Sequence, residues 1–261
     1  MAPARDTPEQ ELALRLFSRS LLKQRKHAEI SALLGPTTGL RCLDLGADNG
    51  VVSLLLRRAG GSWASADLTE EAVAAIRGLV GDDVQLCDGV RLPFEDRAFD
   101  RVVVIDILEH VRDDAAFALE LARVTKPGGL LIVNTPHLKR TVLRRLRHAI
   151  GETDEKHGHL RPGYTPADLE RLFGASFRID THHTYSRFFS EAIDTGINWA
   201  LARSGKQGSA KGTIVTPRDL ERQKKKFLLY SLIYPLVWAV SRLDALVPAS
   251  GYMLIARLTR G

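Results

Sequence analysis

The sequence has few cysteines and little that could make it a secreted or membrane-spanning protein. Its 261 residues include two cysteines, Cys42 and Cys87, which are too few for a disulfide framework and indicate an intracellular protein. The N-terminal residues lack the apolar stretch of a signal peptide. The run at residues 227–241 has 15 uncharged residues, fewer than the about 20 that a membrane-spanning helix needs. These absences argue against a disulfide-stapled secreted domain and against a transmembrane protein.

The excess of positive charge is small and is confined to one part of the chain. The net charge is +6, with 26 basic and 26 acidic residues in 1–187 but 11 basic and 5 acidic residues in 188–261. The basic region is interrupted by a long uncharged run, unlike a continuous phosphate-tracking surface, so we expect no nucleic-acid partner. The distribution instead predicts a neutral core followed by a region that faces a partner.

Apolar segments that alternate with helical patterns predict an α/β fold. The segments are apolar throughout, which is typical of a parallel sheet covered by helices on both faces. We therefore predict a doubly wound, Rossmann-like sheet of seven strands, the last two of which form an antiparallel pair. The predicted strands are 40–45, 62–67, 84–88, 99–105, 129–134, 177–185 and 252–258, and the predicted helices are 9–34, 51–59, 70–79, 114–124 and 165–172.

Three regions follow from this order of elements. Residues 1–35 form an N-terminal helix. Residues 36–187 together with 250–261 form the core. Residues 188–249 form a basic, apolar helical insertion between the last two strands, which we expect to act as a lid.

A glycine-containing turn and three acidic residues mark the ends of the first three strands. The turn LDLGADNG carries Asp44 at the end of the first strand, and Gly46 and Gly50 allow a ligand to approach the backbone closely. Asp67 ends the second strand, 23 residues after Asp44, where an acidic residue can accept both hydroxyls of a ribose. Asp88 ends the third strand. Turn chemistry and helix capping are the alternative, but they explain three consecutive strand ends poorly.

These segments, together with LPFEDRAFD, DILEHV and KPGG further along the chain, resemble the class I S-adenosylmethionine-dependent methyltransferases. Within that class they are most similar to the type 11 branch of small-molecule enzymes, which includes the ubiquinone-pathway O-methyltransferases. The resemblance covers about residues 36–136 and the closing strand pair. It implies the fold, S-adenosylmethionine as cofactor and S-adenosylhomocysteine as product, but it says little about the acceptor.

The resemblance also implies roles for individual residues. The cofactor's methionine part would meet the first turn, its ribose and adenine the next two strand ends, and its sulfonium the end of the fourth strand. Asp48 stands where the family usually has glycine, which leaves open a cofactor-binding but inactive relative. Arg25 is a candidate partner for the cofactor's carboxylate, with a solvated helix charge as the alternative. In chain order, the implied cofactor residues are Asp44, Gly46, Ala47, Gly50, Asp67, Leu68, Asp88, Gly89, Asp106 and Ile107.

A general base is needed only if the acceptor loses a proton, as a hydroxyl does, and histidine suits that task. Our candidates for the base are His110, His137 and His159. We also expect the loop at residues 155–165 to cover the acceptor, with substrate-side candidates that include His157, Arg161 and Tyr164, whereas His182 and His183 are expected on the surface.

A divalent metal ion is the less favoured addition to this site. In the related quinone-pathway enzymes the pattern that corresponds to Asp106, Glu109 and His110 can hold such an ion, and hard cations prefer carboxylate oxygens. The tripeptide Leu-Glu-His also occurs in relatives with no metal. A hydrogen-bonded loop pair is therefore the alternative for Glu109 and His110.

The region at residues 222–248 combines a lysine cluster with an apolar, aromatic stretch. Three lysines at 224–226 precede the uncharged run, and Pro235 lies within it. This pattern predicts a segment that lies in an anionic membrane surface. A buried helix and a homodimer contact stay open as alternatives. A second basic stretch, residues 139–148, is predicted to face the same surface.

The sequence therefore predicts methyl transfer, to oxygen, on a small or lipid-linked amphiphilic acceptor. We expect a cytoplasmic protein that binds peripherally to the inner face of the membrane. A soluble polyketide or sugar acceptor is one alternative, and a non-catalytic cofactor-binding protein is the other.

Overall fold

The computed structural model describes residues 6–47, 49–81, 83–139, 142–149, 151, 153, 158–203 and 224–261. The strands are β1 Arg41–Leu45, β2 Ser62–Asp67, β3 Val84–Leu86, β4 Phe99–Ile105, β5 Thr125–Pro136, β6 Phe177–Tyr185 and β7 Met253–Arg260. The helices are α1 Pro8–Phe17, α2 Leu21–Leu34, α3 Val51–Arg58, α4 Glu70–Val80, α5 Asp114–Val124, α6 Val142–Ala149, α7 Pro166–Phe173, α8 Phe188–Arg203 and α9 Lys224–Arg242, with short 3-10 turns at Leu108–His110 and Leu243–Leu246.

The seven strands form one sheet in the order β3-β2-β1-β4-β5-β7-β6. Strands β1 to β5 pair in parallel, and β7 runs antiparallel between β5 and β6. The predicted fold, including the antiparallel pair, is confirmed. The order of the strands changes between β1 and β4, because β2 and β3 follow on one side and β5 on the other. In such sheets ligands bind at this point, beyond the carboxyl ends of the strands.

The central strands are buried because helices cover both faces of the sheet. Val102, Val103 and Val104 of β4 are fully buried in succession. Val102 and Val104 belong to the apolar core under α5 and α7, whereas Val103 belongs to the core under α2 and α3. Alternate side chains of a strand point to opposite faces, so a strand between two helical layers must be apolar throughout.

The predicted N-terminal helix over residues 9–34 is two helices. Helix α1 ends before Ser18, whose hydroxyl donates a hydrogen bond to the carbonyl oxygen of Arg15 at 2.8 Å. The backbone N–H of Ser20 then donates to the carbonyl oxygen of Phe17 at 2.9 Å. A serine hydroxyl competes with the helical hydrogen-bond pattern in this way, so Ser18 helps to close α1. Ser20 then takes the N-cap position of α2 with an extended backbone and without a side-chain capping bond.

Strand β5 begins at Thr125, four residues before the predicted start. Its pairing with β4 shifts register between Phe99 and Arg101, so the Lys-Pro-Gly-Gly segment is part of an irregular strand. A proline and two glycines usually mark a turn, which explains the late predicted start. Tertiary pairing with β4 extends the strand through this segment.

The two insertion helices are joined by one carboxylate. Asp244 lies in the 3-10 turn after α9, and its Oδ1 accepts hydrogen bonds from the backbone N–H groups of Phe189 at 2.8 Å and Ser190 at 3.3 Å. Its Oδ2 accepts from the backbone N–H of Arg187 at 2.8 Å. The first N–H groups of a helix have no hydrogen-bond acceptors inside the helix. Asp244 provides acceptors for them from a distant part of the chain.

The predicted helical insertion between the last two strands is present as α8, α9 and the following turn, while its role as a lid stays a prediction. Among the helices in the described part of the chain, none is long and apolar enough to cross a membrane.

We expect Asp244→Ala to lower the free energy of unfolding by about 2 kcal/mol, because the start of α8 loses its cap. Urea unfolding followed by circular dichroism measures this change. Glu95→Ala is the control, since Glu95 is an exposed loop residue. Equal stability of the two variants would show that Asp244 does not hold the insertion together.

Candidate functional site

The glycine turn is packed tightly against β4 and α4. Gly46 and Gly50 have φ angles of +81° and +78°, which favour glycine. A Cβ atom on Gly46 would collide with the carbonyl oxygen of Ile105, and one on Gly50 would lie 2.7 Å from the Cα atom of Ile76. Ala47 between them is buried. Asp48 lies outside the described residues, so the expectation attached to it stays a prediction.

Asp44 lies fully buried beneath this turn and fixes it. Its Oδ1 accepts a hydrogen bond from the hydroxyl of Ser53 at 2.5 Å. Its Oδ2 accepts from the hydroxyl of Ser65 at 2.8 Å and pairs with Nη1 of Arg57 at 3.2 Å. Burial raises the pKa of the Asp44 carboxyl, although Arg57 and the two serines oppose that shift. The carboxylate thus ties β1 to α3 and β2. Contact of Asp44 with the cofactor stays a prediction.

The other strand-end residues gather at the same edge of the sheet. Asp67 ends β2, and its Oδ1 accepts from the backbone N–H of Leu68 at 2.7 Å. Asp88 is exposed, and hydrogen bonds from the backbone N–H groups of Arg91 and Val90, both 2.8 Å from its Oδ1, hold its pKa below the usual value. Gly89 packs close to Leu68, since a Cβ atom on Gly89 would lie only 3.3 Å from the Leu68 side chain. Binding of ribose and adenine here stays a prediction.

Asp106 is the centre of a polar network at the end of β4. It has a φ angle of +47°, an uncommon conformation for a residue other than glycine. Its Oδ1 accepts from Nδ2 of Asn134 at 2.8 Å, and its Oδ2 pairs with Nζ of Lys26. The Tyr185 hydroxyl donates to Oδ1 of Asn134 at 2.5 Å, and burial raises the pKa of this phenol. Ile107, beside Asp106, is buried.

The basic residue of α2 that reaches this network is Lys26, not Arg25. Nε of Arg25 pairs with Oε1 of Glu29 at 2.7 Å, and the Arg25 side chain is 55% exposed. Lys26 stands four residues after Leu22 and four before Ile30, which is fully buried. A spacing of four residues places side chains on one helix face. This inward-facing position was visible in the sequence and identifies Lys26 as the missed residue.

A cavity of about 180 Å³ opens beside Asp106. His159 lines it together with Glu109, which is fully buried. Its lining is rich in charged and aromatic groups, namely Lys26, Asp106, Glu109, Arg147, His159, Asp194, Tyr185 and Tyr252. The space suits a small polar group that is held by hydrogen bonds.

The three histidine candidates occupy different places around this cavity. His159 lines it directly. His110 packs edge to face against His159, with ring centroids 4.9 Å apart, and its Nδ1 lies 2.9 Å from the carbonyl oxygen of Gly158. His137 lines a neighbouring cavity of about 50 Å³, whose lining also includes His159, and its Nδ1 lies 3.0 Å from the carbonyl oxygen of Gly251. His159 is therefore the histidine that the geometry favours as a base.

Two of the predicted substrate-side residues instead fasten the loop. Arg161 donates to the carbonyl oxygens of Val111 at 2.5 Å and Arg112 at 2.8 Å. The Tyr164 hydroxyl donates to Oδ2 of Asp114 at 2.9 Å, and the Tyr164 side chain is buried. These bonds hold the segment after residue 158 against the 3-10 turn and α5. His157 lies outside the described residues.

The two histidines expected on the surface are on β6. His182 is exposed. His183 is half-buried, and its Nε2 lies 2.8 Å from Oε2 of Glu29 on α2. Neither residue lines the cavity beside Asp106.

The residues present do not fit the hard divalent ion that the sequence pattern suggested. Both oxygens of Asp106 are engaged by Lys26 and Asn134. The potential ligand atoms that do lie together, within 4.8 Å of one another, belong to Glu109, His110 and His159. One carboxylate and two imidazoles differ from the oxygen-rich set that magnesium or calcium prefers.

Lys139 and Arg147 of the basic stretch at residues 139–148 are turned towards the protein, whereas Arg145, Leu146 and His148 are exposed. Nζ of Lys139 lies 3.0 Å from Oε2 of Glu191 on α8, and the Lys139 side chain is 13% exposed. The guanidinium of Arg147 lies over the ring of Tyr252, 5.1 Å from its centroid. The prediction that this stretch faces a membrane is wrong for these two residues, because each has a partner in the insertion or in the segment before β7.

Helix α9 exposes apolar side chains to solvent. Leu232 and Leu236 are 72% and 67% exposed, and Ile233 is also exposed. Tyr234 is buried, and its hydroxyl accepts a hydrogen bond from Nε2 of Gln24 at 2.6 Å. The buried-helix alternative is therefore wrong for the part of α9 whose side chains are described.

Comparisons with known proteins agree with the fold and with a methyltransferase domain. Residues 43–133 match the family described as methyltransferase domain. The chain is 34% identical over 113 residues to a ubiquinone biosynthesis O-methyltransferase of Parvibaculum lavamentivorans, which covers 41% of the chain and 44% of the relative. It is 38% identical over 113 residues to a demethylmenaquinone methyltransferase of Mycobacterium marinum, with 41% and 46% covered. The chain thus spans less than half the length of these curated relatives.

Solved structures share the fold across nearly the whole chain. The [4+2]-cyclase SpnF has a TM-score of 0.62 at 17% identity, with 99% of this chain and 98% of that chain covered. An S-adenosylmethionine dependent methyltransferase from Mesorhizobium loti has a TM-score of 0.55 at 16% identity, with 89% and 96% covered. At these identities the likeness establishes the fold alone.

We expect Gly46→Ala to weaken binding of S-adenosylhomocysteine by about tenfold or more, because a left-handed conformation costs other residues about 1–2 kcal/mol and the new Cβ atom meets β4. Isothermal titration measures the affinity. Gly78→Ala in α4 is the control, since a Cβ atom there meets nothing within 4 Å. Equal affinity of both variants would show that the turn does not hold the cofactor.

Proposed function

We propose that the protein is an S-adenosylmethionine-dependent methyltransferase that methylates an oxygen of an amphiphilic acceptor at a membrane surface. Residues 43–133 match the methyltransferase domain family, and the curated relatives are methyltransferases. The observation that carries the proposal is the cavity beside Asp106, which is lined by His159 and adjoins the strand ends where the cofactor is expected. The curated relatives are named for ubiquinone and demethylmenaquinone. Their names support a small-molecule acceptor.

Methyl transfer from S-adenosylmethionine requires little covalent chemistry from the protein itself. S-adenosylmethionine supplies a methyl group that is already activated on a sulfonium. The chain's own task is alignment and the exclusion of water. Gly46 and Gly50 allow close approach at the turn, and Asp67 offers a carboxylate to the ribose. The ion pair with Lys26 and the hydrogen bond from the Asn134 amide hold Asp106 in place at the edge of the cavity.

An acceptor hydroxyl must lose its proton as the methyl group arrives. His159 is the cavity-lining imidazole, and imidazole can take up a proton near neutral pH. The ring of His110 packs against it and limits its orientations. In this mechanism His159 accepts the proton and His110 acts as a positioning residue.

The membrane part of the proposal rests on the exposed face of α9. Leu232, Ile233 and Leu236 are exposed in a region whose sequence carries the whole net charge of +6. An apolar helix face beside basic residues matches an anionic lipid surface in both polarity and charge. The family match ends at residue 133, so this surface belongs to the part of the chain outside the shared domain.

We expect His159→Asn to lower the rate of S-adenosylhomocysteine release by about 10²-fold or more with a lipid extract of the source organism as acceptor, because the base is lost. Mass spectrometry measures the product. His182→Asn is the control, since His182 is exposed on β6. If the wild type binds S-adenosylhomocysteine but releases none with lipid, sugar or polyketide extracts, the non-catalytic alternative is favoured.

We expect the double variant Leu232→Ser, Leu236→Ser to lose most of its flotation with vesicles of phosphatidylcholine and phosphatidylglycerol, because the apolar face is removed. Leu119→Ser is the control, since Leu119 is a single exposed leucine on α5. Light scattering measures the oligomeric state in parallel. Unchanged flotation, or a dimer that the double variant dissociates, would contradict membrane docking by this face.

A further inference from the structure

A second, larger space adjoins the cavity beside Asp106. This groove has a volume of about 620 Å³ and lies between α2, the end of β6 and α9. Tyr185 and Ser186 line both the groove and the smaller cavity. The two spaces are therefore direct neighbours.

The lining of the groove carries more positive than negative charge. Three arginines line it, Arg25, Arg187 and Arg242, against a single carboxylate, that of Asp244. Both oxygens of Asp244 already accept hydrogen bonds from the backbone at the start of α8. The balance of the lining therefore favours an anion.

Arg242 is the arginine best placed to bind a ligand. Its guanidinium lies over the ring of Trp238, 4.3 Å from the ring centroid, and both side chains are exposed. By contrast, Arg25 pairs with Glu29, and Arg187 donates to the carbonyl oxygen of Val247 at 2.8 Å. Among the described residues Arg242 has no acidic partner. A guanidinium held flat on an aromatic ring keeps its N–H groups available for a phosphate.

Helix α9 separates the groove from the exposed apolar face. At 100° per residue, the groove-lining residues Tyr234, Trp238 and Arg242 lie on one side of the helix, and Leu232 and Leu236 lie on the other. An interfacial helix sinks about 5–10 Å into the boundary between headgroups and acyl chains. A helix is about 10 Å across, so a groove on its far side would lie at the level of lipid phosphates.

We propose that this groove binds a phosphate-bearing anionic head of the acceptor while the group to be methylated occupies the cavity beside Asp106. The inference rests on the proposed function and names the chemistry of its acceptor. Arg242 contacts the phosphate oxygens, and Arg25, whose side chain is 55% exposed, provides a second contact from α2. The phosphate belongs to the acceptor itself, rather than to the bulk lipid around it.

The test measures binding of inorganic pyrophosphate to the full-length protein in the presence of S-adenosylhomocysteine by isothermal titration. We expect Arg242→Gln to weaken this binding by about tenfold, as expected for the loss of a charge-assisted hydrogen bond. Arg171→Gln is the matched control, because Arg171 is 77% exposed on α7 and does not line the groove. Arg25→Gln provides a second variant, and urea unfolding checks that each is folded.

A second arm uses vesicles of phosphatidylcholine and phosphatidylglycerol without pyrophosphate. If Arg242→Gln weakens vesicle binding more than Arg171→Gln does, and pyrophosphate does not bind, the groove holds bulk lipid headgroups and the assignment to the acceptor is overturned. The whole inference is overturned if pyrophosphate does not bind and Arg242→Gln and Arg171→Gln bind vesicles equally. It is also overturned if Arg242→Gln and its control Arg171→Gln weaken pyrophosphate binding to the same extent. Failure of the wild type to bind S-adenosylhomocysteine would instead count against the proposed function.

Discussion

The carboxylate of Asp106 joins the parts of the molecule on which the site depends. It stands at the end of β4 and is held by Asn134 of β5 and by Lys26 of the N-terminal helix α2. Oδ1 of Asn134 in turn accepts a hydrogen bond from the hydroxyl of Tyr185 at the end of β6. One polar network thus connects the parallel half of the sheet, the antiparallel pair and the helix that packs over them. The cavity and the groove meet at Tyr185, so the network also shapes both candidate binding spaces.

This network is built on a sheet edge whose geometry is set by close packing. Gly46 must approach the backbone of β4, and the buried carboxylate of Asp44 fixes the turn from below through Ser53, Ser65 and Arg57. Burying a charged carboxylate is favourable only when its oxygens are satisfied, and here both are. The turn is therefore held firmly on the side of the core. A carboxylate also holds the insertion together, since Asp244 after α9 accepts hydrogen bonds from the backbone N–H groups at the start of α8.

The strand and helix pattern of the core could be predicted because each element is decided by its own residues. Strand β4 matches its predicted range, and α7 begins at Pro166 after the predicted cap residue Thr165. Elements that depend on distant partners were predicted less well. Strand β5 is extended by its pairing with β4. The division of the N-terminal helix instead has a local cause at Ser18, which a periodic pattern of apolar residues does not reveal. Arg161 and Tyr164 look like ligand-binding residues in a polar loop, yet their partners are Val111 and Asp114 of the protein itself.

The sequence alone determined the fold class and which residues lie near one edge of the sheet, because alternating apolar and helical segments, glycine turns and carboxylates near strand ends are local features that a parallel sheet brings together. Only the tertiary structure decided which charged side chains meet there. Lys26 rather than Arg25 reaches Asp106, and His159 rather than His137 lines the cavity, because α2 and the loop after residue 158 pack onto the sheet from distant parts of the chain. The tertiary structure likewise decided that α9 has an outward apolar face and an inward polar one, since the direction of a side chain depends on what its helix packs against.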